Sequence, residues 1–180
     1  MSTRGTKLPP VEHVPSLPAE ERARVLDLLF EPSTQLHTLS VPLLHEERFP
    51  SYSELISAVG MQLTELSESA STSDTQWLED ILGSHPRLGA KKVDSSQSQA
   101  EQAQLQGSEE EAEHLRRLNE EYEAKFPGLR YVVFVAGRSR PVIMEDMRRR
   151  IDSSDVTTER ATNIRVCHDL RWSSLWRILT

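Results

Sequence analysis

The chain has 180 residues, enough for one domain whose core needs neither disulfides nor a structural metal. Its net charge of −7, without a dense basic stripe, argues against nucleic-acid binding, where neutralising phosphate dominates affinity. The single cysteine, Cys167, excludes an internal disulfide and a Cys-rich zinc site, and we expect it to be a small buried residue on a helix. No apolar run is long enough to span a bilayer, and the first residues lack the apolar core of a secretory signal.

Residues 1–16 are rich in proline and are predicted to form an extended lead-in, followed by a helical domain over residues 17–180. Pro18 is placed to start a first helix, with Val25, Leu28 and Leu29 on its apolar face, and Pro32 stops it. Ser51 and Glu54 form a capping-box pattern before a second helical run. Its apolar residues recur at helical spacing: Leu55, Ile56, Val59, Leu63 and Leu66.

A short helix follows a polar loop, with Asp74 as a plausible N-cap and Gly83 suited to end it. Two further capping-box patterns join Ser98 to Glu101 and Ser108 to Glu111. The second opens a long amphipathic helix whose predicted core face is Ala112, Leu115, Leu118, Tyr122 and Phe126.

Residues 131–137, YVVFVAG, have the composition of a strand, but no second strand is predicted to pair with them. We therefore expect a buried irregular or helical segment. Pro141 starts another helix towards Ile151, and Asp155 or Thr157 caps the last one. The pattern predicts an all-α fold, an irregular bundle of about seven or eight helices in a single domain.

His85 is the histidine whose position favours chemistry, because it follows a helix end and directly precedes Pro86. An imidazole on such a constrained turn is a suitable general acid or base, with an unperturbed pKa of about 6.5. The alternative is an ordinary turn histidine that caps the preceding helix. The remaining histidines show no metal-ligand spacing, so no metal site is predicted.

Two other groups leave alternatives open. The Ser98–Gln102 segment is either a simple helix start or a helix N-terminus that binds an anion with Gln102 adding an amide. Arg171 is by itself typical of a solvated arginine or an ion-pair partner. The run Arg148, Arg149 and Arg150 is predicted to be a solvated face with helix-end charge.

Taken in order, several segments resemble one family, the 2-oxo-4-hydroxy-4-carboxy-5-ureidoimidazoline (OHCU) decarboxylases. The matching pieces cover the chain from about residue 17 to its end, and the wording of residues 126–140, FPGLRYVVFVAGRSR, is similar to the fungal branch. The ordered set is Phe30–Ser33, the His-Pro-Arg-Leu-Gly of 85–89, Ser98-x-x-Glu101-Gln102, Leu118-Asn119-x-x-Tyr122-x-x-Lys125-Phe126, residues 132–138, and Arg171.

The resemblance implies a cofactor-free and metal-free lyase that converts OHCU to (S)-allantoin in urate degradation. It assigns the catalytic acid/base to His85, substrate orientation to Glu101, and pairing with substrate oxygen to Arg171. It also implies an all-helical homodimer whose pocket is lined by the residues matching Pro86, Ser98, Gln102, Val135, Ala136, Gly137, Arg138 and Ser139.

Other interpretations remain at this point. The chain is also consistent with a non-catalytic helical interaction module, or with the same fold acting on another ureide. Metal-dependent hydrolysis is disfavoured by the lack of ligand spacing. No Ser-Lys-Leu-type signal ends the sequence, so the cytoplasm is the default compartment, although the pathway that the resemblance implies is often peroxisomal.

Overall fold

A computed structural model describes residues 7–90, 108–133 and 137–179, with side chains placed up to residue 167. Over these ranges the chain forms helices and no strand, which confirms the predicted all-α bundle. A 3₁₀ helix, Val11–Ser16, precedes seven α-helices: α1 (Ala19–Leu29), α2 (Thr34–Glu46), α3 (Tyr52–Glu68), α4 (Thr72–Leu82), α5 (Glu109–Lys125), α6 (Arg140–Ser153) and α7 (Val156–Leu179). None of the helices in the described ranges is long and apolar enough to cross a membrane.

The amino-terminal segment differs from the predicted extended lead-in. Residues 11–16 are helical rather than extended, and Val14 is fully buried in the core. The hydroxyl of Tyr52 also donates to the carbonyl of Pro9 at 2.7 Å. Burial of Val14 and this hydrogen bond supply the tertiary contacts that a proline-rich segment lacks by itself.

Serine side chains begin several helices as the sequence predicts. The Ser51 hydroxyl accepts a hydrogen bond from the Glu54 N–H at 3.3 Å. Ser108 and Glu111 form a complete capping box, each side chain accepting from the other residue's backbone N–H. Both interactions satisfy N–H groups that have no partner inside the helix.

Asp74 was the wrong choice of cap for α4. The helix begins at Thr72, three residues before the start that an Asp74 cap implies, with Ser71 in the N-cap position. Asp74 instead accepts a hydrogen bond from the Ser69 hydroxyl at 2.5 Å. Asp155 caps α7, as one of the two predicted alternatives, by accepting from the N–H groups of Thr157 and Thr158, both at 2.9 Å. The predicted Ser98–Glu101 capping box lies outside the described residues.

Apolar faces at helical spacing form the core. On α3, Leu55, Ile56, Val59 and Leu63 are buried, and this helix packs against α2, α4 and α7. The predicted core face of α5 is buried from its second turn onward, at Leu115, Leu118, Tyr122 and Phe126. Ala112, predicted to belong to that face, is exposed because it lies in the first turn of α5.

The described part of the strand-like segment, Tyr131–Val133, is buried and irregular, which confirms the prediction for these residues. Side chains replace the hydrogen bonds that a neighbouring strand would supply. Asn163 donates to the Arg130 carbonyl at 2.9 Å, and Arg150 donates to the Val132 carbonyl at 3.0 Å. These two carbonyls are therefore satisfied without a sheet.

Arg150 corrects the prediction that Arg148–Arg150 is a solvated face. The side chains of Arg148 and Arg149 are exposed to solvent, whereas only 12% of the Arg150 side-chain surface is accessible. Its guanidinium binds the carboxylate of Glu159, itself 2% exposed, with Nη2 2.5 Å from Oε2. The rings of Tyr131 and Tyr122 lie 4.7 and 5.7 Å from the guanidinium carbon. Arg150 is thus a buried link between α5, α6 and α7.

Replacing Glu159 by Gln should destabilise the fold strongly, because it leaves the Arg150 charge buried without its counter-ion. We expect a loss of about 3–5 kcal/mol in the free energy of unfolding measured in urea. Glu113→Gln removes one of the two exposed partners of Arg116 and serves as the control, with little expected loss. Equal losses in the two variants would contradict a special role for the buried charge.

The ion pair between Glu159 and Arg150 also predicts that the protein loses stability in acid. Burial alone would raise the pKa of Glu159, but hydrogen bonds from Arg150 and Tyr122 outweigh it and hold this pKa below its usual value. A carboxyl group with a lowered pKa in the folded state stabilises the protein above its unfolded pKa, about 4.3. That contribution disappears as the pH falls from there through the folded pKa, and Glu159→Gln should lack this part of the acid dependence.

Candidate functional site around His85

The loop that carries His85 starts at a closely packed end of α4. The Gly83 N–H bonds to the Glu79 carbonyl at 2.7 Å, and the Ser84 hydroxyl donates to the Ile81 carbonyl at 2.7 Å. A Cβ added at Gly83 would lie 2.8 Å from the Glu79 oxygen and 3.1 Å from the Gly128 oxygen. Gly83 ends the helix as predicted, but its φ is −73°, so close backbone approach, and not a left-handed conformation, explains the glycine.

The other end of the loop is fixed to α5 at three successive turns of that helix. Gly89 has a φ of +83°, and its backbone passes so close to Leu115 that a Cβ would lie 2.8 Å from a leucine methyl. The buried Asn119 donates to the Leu88 carbonyl at 3.0 Å. The third contact residue is Glu123. Leu115, Asn119 and Glu123 follow one another at intervals of four residues, so all three lie on one side of α5.

That third contact is an ion pair between Arg87 and Glu123. Two nitrogens of Arg87 donate to the two carboxylate oxygens of Glu123, at 2.8 and 2.7 Å, and Arg130 binds the same carboxylate. Burial would raise the pKa of Glu123, but the two arginines lower it below its usual value. The loop is therefore connected to the end of α4 on one side and to α5 on the other by polar contacts.

His85 itself faces α7. Its ring is half-buried, and Nε2 lies 3.0 Å from the sulfur of Cys167, which is 4% exposed on α7. The prediction that Cys167 is a small buried helical residue is confirmed, but its contact with His85 was not foreseen. These two residues are 82 positions apart in the sequence, and no local pattern connects them.

Arg171 lies on α7 four residues after Cys167. That spacing advances about 6 Å along a helix and returns to nearly the same side. The backbone of α7 thus continues from the His85 contact to the predicted guanidinium, whose side chain is outside the described residues.

The other predicted site residues are only partly described. Pro86 is half-buried beside His85. Gly137 has a φ of +74° with open space around its Cβ direction, and Ser139 is the N-cap of α6. Ser98, Glu101, Gln102, Val135 and Ala136 lie outside the described residues, so their approach to His85 stays a prediction.

Several residues that shape the site were missed in the sequence, namely Cys167, Glu123 and the role of Asn119. Asn119 carried a usable signal, since it is a polar residue beside the buried face of an amphipathic helix. Glu123 carried none, because a glutamate in a helix rich in charged residues is typical of a solvated helix face.

Two of the other described histidines have structural partners. His37 pairs with Asp27 at 2.6 Å, and His45 lies 3.0 Å from the Pro15 carbonyl. Among the described residues no group of three or more His, Cys, Asp or Glu side chains could hold a metal ion.

A groove of about 760 Å³ lies elsewhere, between α3 and the first half of α7. Small and apolar side chains line much of it, including Gly60, Met61, Ala161 and Ile164. None of its lining residues belongs to the predicted site.

Asn119→Ala should release the loop from α5, because it removes the donor to the Leu88 carbonyl inside the protein. We expect a loss of about 1–3 kcal/mol in the free energy of unfolding, together with faster amide hydrogen exchange over residues 84–90. Ser84→Ala removes only a local hydrogen bond at the other end of the loop and is the control, with a smaller effect. Unchanged exchange at residues 84–90 in Asn119→Ala would show that this bond does not hold the loop.

Comparison with known proteins supports the resemblance drawn from the sequence. A search of curated proteins gives no match. The family model for OHCU decarboxylase matches residues 15–172, which include the His85 loop, its α5 support, Cys167 and Arg171. This match covers most of the chain, and the family implies decarboxylation in urate degradation. The protein belongs to the OHCU decarboxylase family.

Proposed function

We propose that the protein decarboxylates OHCU to (S)-allantoin, with His85 as the acid/base and without a cofactor or metal. The observation that carries the proposal is the placement of a half-buried imidazole, on a loop fixed to α5, against the helix that bears Arg171. Family membership supplies the reaction class. A fixed imidazole can meet a small substrate in one orientation, as acid/base catalysis requires.

The chemistry needs little beyond positioning. Breaking the bond to the carboxylate releases CO₂ and leaves its electron pair on the substrate, whose unsaturated ring delocalises the charge. The protein must then stabilise the developing charge and deliver one proton to one face of the carbanion. One-sided delivery gives a single enantiomer of allantoin. His85 either acts first on the 4-hydroxyl group or acts only in the final protonation.

The remaining roles follow the family assignment. Glu101 would orient the N–H groups of the substrate, and Arg171 would pair with its anionic or carbonyl oxygen. The helix N-terminus predicted at Ser98–Gln102 would add backbone N–H donors. Pro86 and residues 135–139 would complete the pocket wall. The chain in this proposal is a homodimer in the cytosol or peroxisome, and its molecular mass in solution would test the dimer.

The direct test of the proposed activity uses OHCU generated freshly from urate by uricase and hydroxyisourate hydrolase. Circular dichroism then follows the appearance of allantoin. The expected result is a fast signal of one sign, above the slow racemic background. Racemic product at the background rate would contradict the activity and favour a helical module that binds without catalysis.

His85→Asn should lower turnover by at least about 10²-fold, the lower range for a positioned acid/base, because the amide cannot exchange a proton. His114→Asn is the matched control, since His114 is exposed on α5 and should leave the rate unchanged. Far-ultraviolet circular dichroism and the melting temperature check that both variants fold. Near-full turnover in a folded His85→Asn variant would show that another group moves the proton.

A further inference from the structure

Four residues of α7 follow one another at intervals of one helical turn: Glu159, Asn163, Cys167 and Arg171. The first two have fixed structural partners, since Glu159 binds Arg150 and Asn163 donates to the Arg130 carbonyl. The third contacts His85, and the fourth is the predicted substrate-binding guanidinium. Cys167 therefore stands between the part of α7 that holds the fold and the part predicted to meet substrate.

The contact between Cys167 and His85 has the geometry of a hydrogen bond. Nε2 and Sγ are 3.0 Å apart, and the thiol is almost fully buried. A thiol sulfur is a weak donor and a weak acceptor, so it can take either role towards an imidazole nitrogen. Acid/base catalysis by the ring requires Nδ1, the nitrogen not in contact with the sulfur, to take up and return the substrate proton, so the proton of the neutral ring lies on Nε2 and is donated to the sulfur.

We propose that Cys167 is a positioning residue for His85, whose sulfur fixes the orientation of the imidazole ring and holds the proton of the neutral ring on Nε2, so that Nδ1 exchanges the substrate proton. This proposal rests on the proposed acid/base role of His85. A ring that transfers a proton to one face of a small substrate must keep one orientation and one tautomer, because only one ring nitrogen can face the reacting carbon. Cys167 does not itself need to touch the substrate.

Both ends of the contact are held rigidly enough for this role. The His85 loop is tied to α5 through Arg87, Leu88 and Gly89. On the other side, α7 is anchored one and two turns before Cys167 by Asn163 and Glu159. The sulfur is thus a fixed point, and a hydrogen bond to a fixed point restricts rotation of the ring.

The test compares Cys167→Ala, which removes the hydrogen bond, with Cys167→Ser, which keeps a hydrogen-bond acceptor at the same position. Ile164→Val is the matched control, because Ile164 is a buried apolar residue one turn earlier on α7. In Cys167→Ala we expect kcat to fall roughly ten- to hundredfold, the usual range for loss of a group that orients a functional histidine. KM should change little, and Cys167→Ser should restore most of kcat. Ile164→Val should behave as the wild type.

Nitrogen NMR of labelled imidazoles supplies a readout that does not depend on activity. The His85 signals are identified by their loss in His85→Asn. In the wild type we expect the pattern of a neutral ring protonated on Nε2, and in Cys167→Ala a shift towards a mixture of tautomers. A merely structural role for Cys167 would change stability without changing this pattern.

The kinetic and NMR results together either support the proposal or overturn it. The proposal is supported if Cys167→Ala alters the tautomer pattern and lowers kcat while Cys167→Ser preserves both. It is overturned if the His85 signals are the same in wild type and Cys167→Ala, or if alanine and serine lower kcat equally. If instead His85→Asn keeps full activity, the acid/base role of His85 fails, and the NMR pattern still reports separately whether Cys167 holds the ring.

Discussion

A buried guanidinium is the constraint on which the arrangement of the carboxyl-terminal half depends. Removing Arg150 from water costs several kcal/mol unless charge and hydrogen bonds replace its hydration. Glu159 on α7 supplies the charge, and the Tyr131 and Tyr122 rings flank the guanidinium. An arrangement of the helices that separated Arg150 from Glu159 would leave the guanidinium charge buried without a counter-ion. The position of α7 along α5 and α6 is therefore more tightly constrained than apolar contacts alone would make it.

That register carries the candidate site. Once Glu159 and Asn163 are held, the next turn of α7 places Cys167 against His85, and the following turn carries Arg171. Meanwhile α5 uses positions at the same four-residue interval, Asn119 and Glu123, to hold the loop of His85. Two helices thus present polar positions towards one loop, while their apolar positions form the core. Stability and the proposed chemistry depend on the same two helices, so variants near the site need a measurement of each.

Much of the fold could be predicted because its signals are local. The capping pairs Ser51–Glu54 and Ser108–Glu111 and the apolar spacing of α3 act within one or two turns of chain. Asp74 was misassigned because Ser71 competes with it as a cap three residues away, and local pattern ranks the two almost equally. The helical turn at residues 11–16 depends on burial of Val14, which the sequence of that segment does not reveal.

Long-range contacts account for what the sequence could not reveal. Arg150 looks like its neighbours Arg148 and Arg149, and only its tertiary partners distinguish it. The same is true of His85 and Cys167, which meet across 82 positions. The resemblance to a family overcame part of this limit, because an ordered set of motifs implies residues that meet in space. It did not reveal Cys167, whose contact with His85 belongs to this chain's own structure.

The central claim is that one imidazole, one carboxylate and one guanidinium surround a single small ligand. A crystal structure with the product (S)-allantoin bound would test it most directly. The account predicts the ligand beside the half-buried ring of His85, contacted by Arg171 from α7 and by Glu101. Allantoin bound instead in the groove between α3 and α7, or Glu101 and Arg171 lying on faces remote from His85, would contradict it.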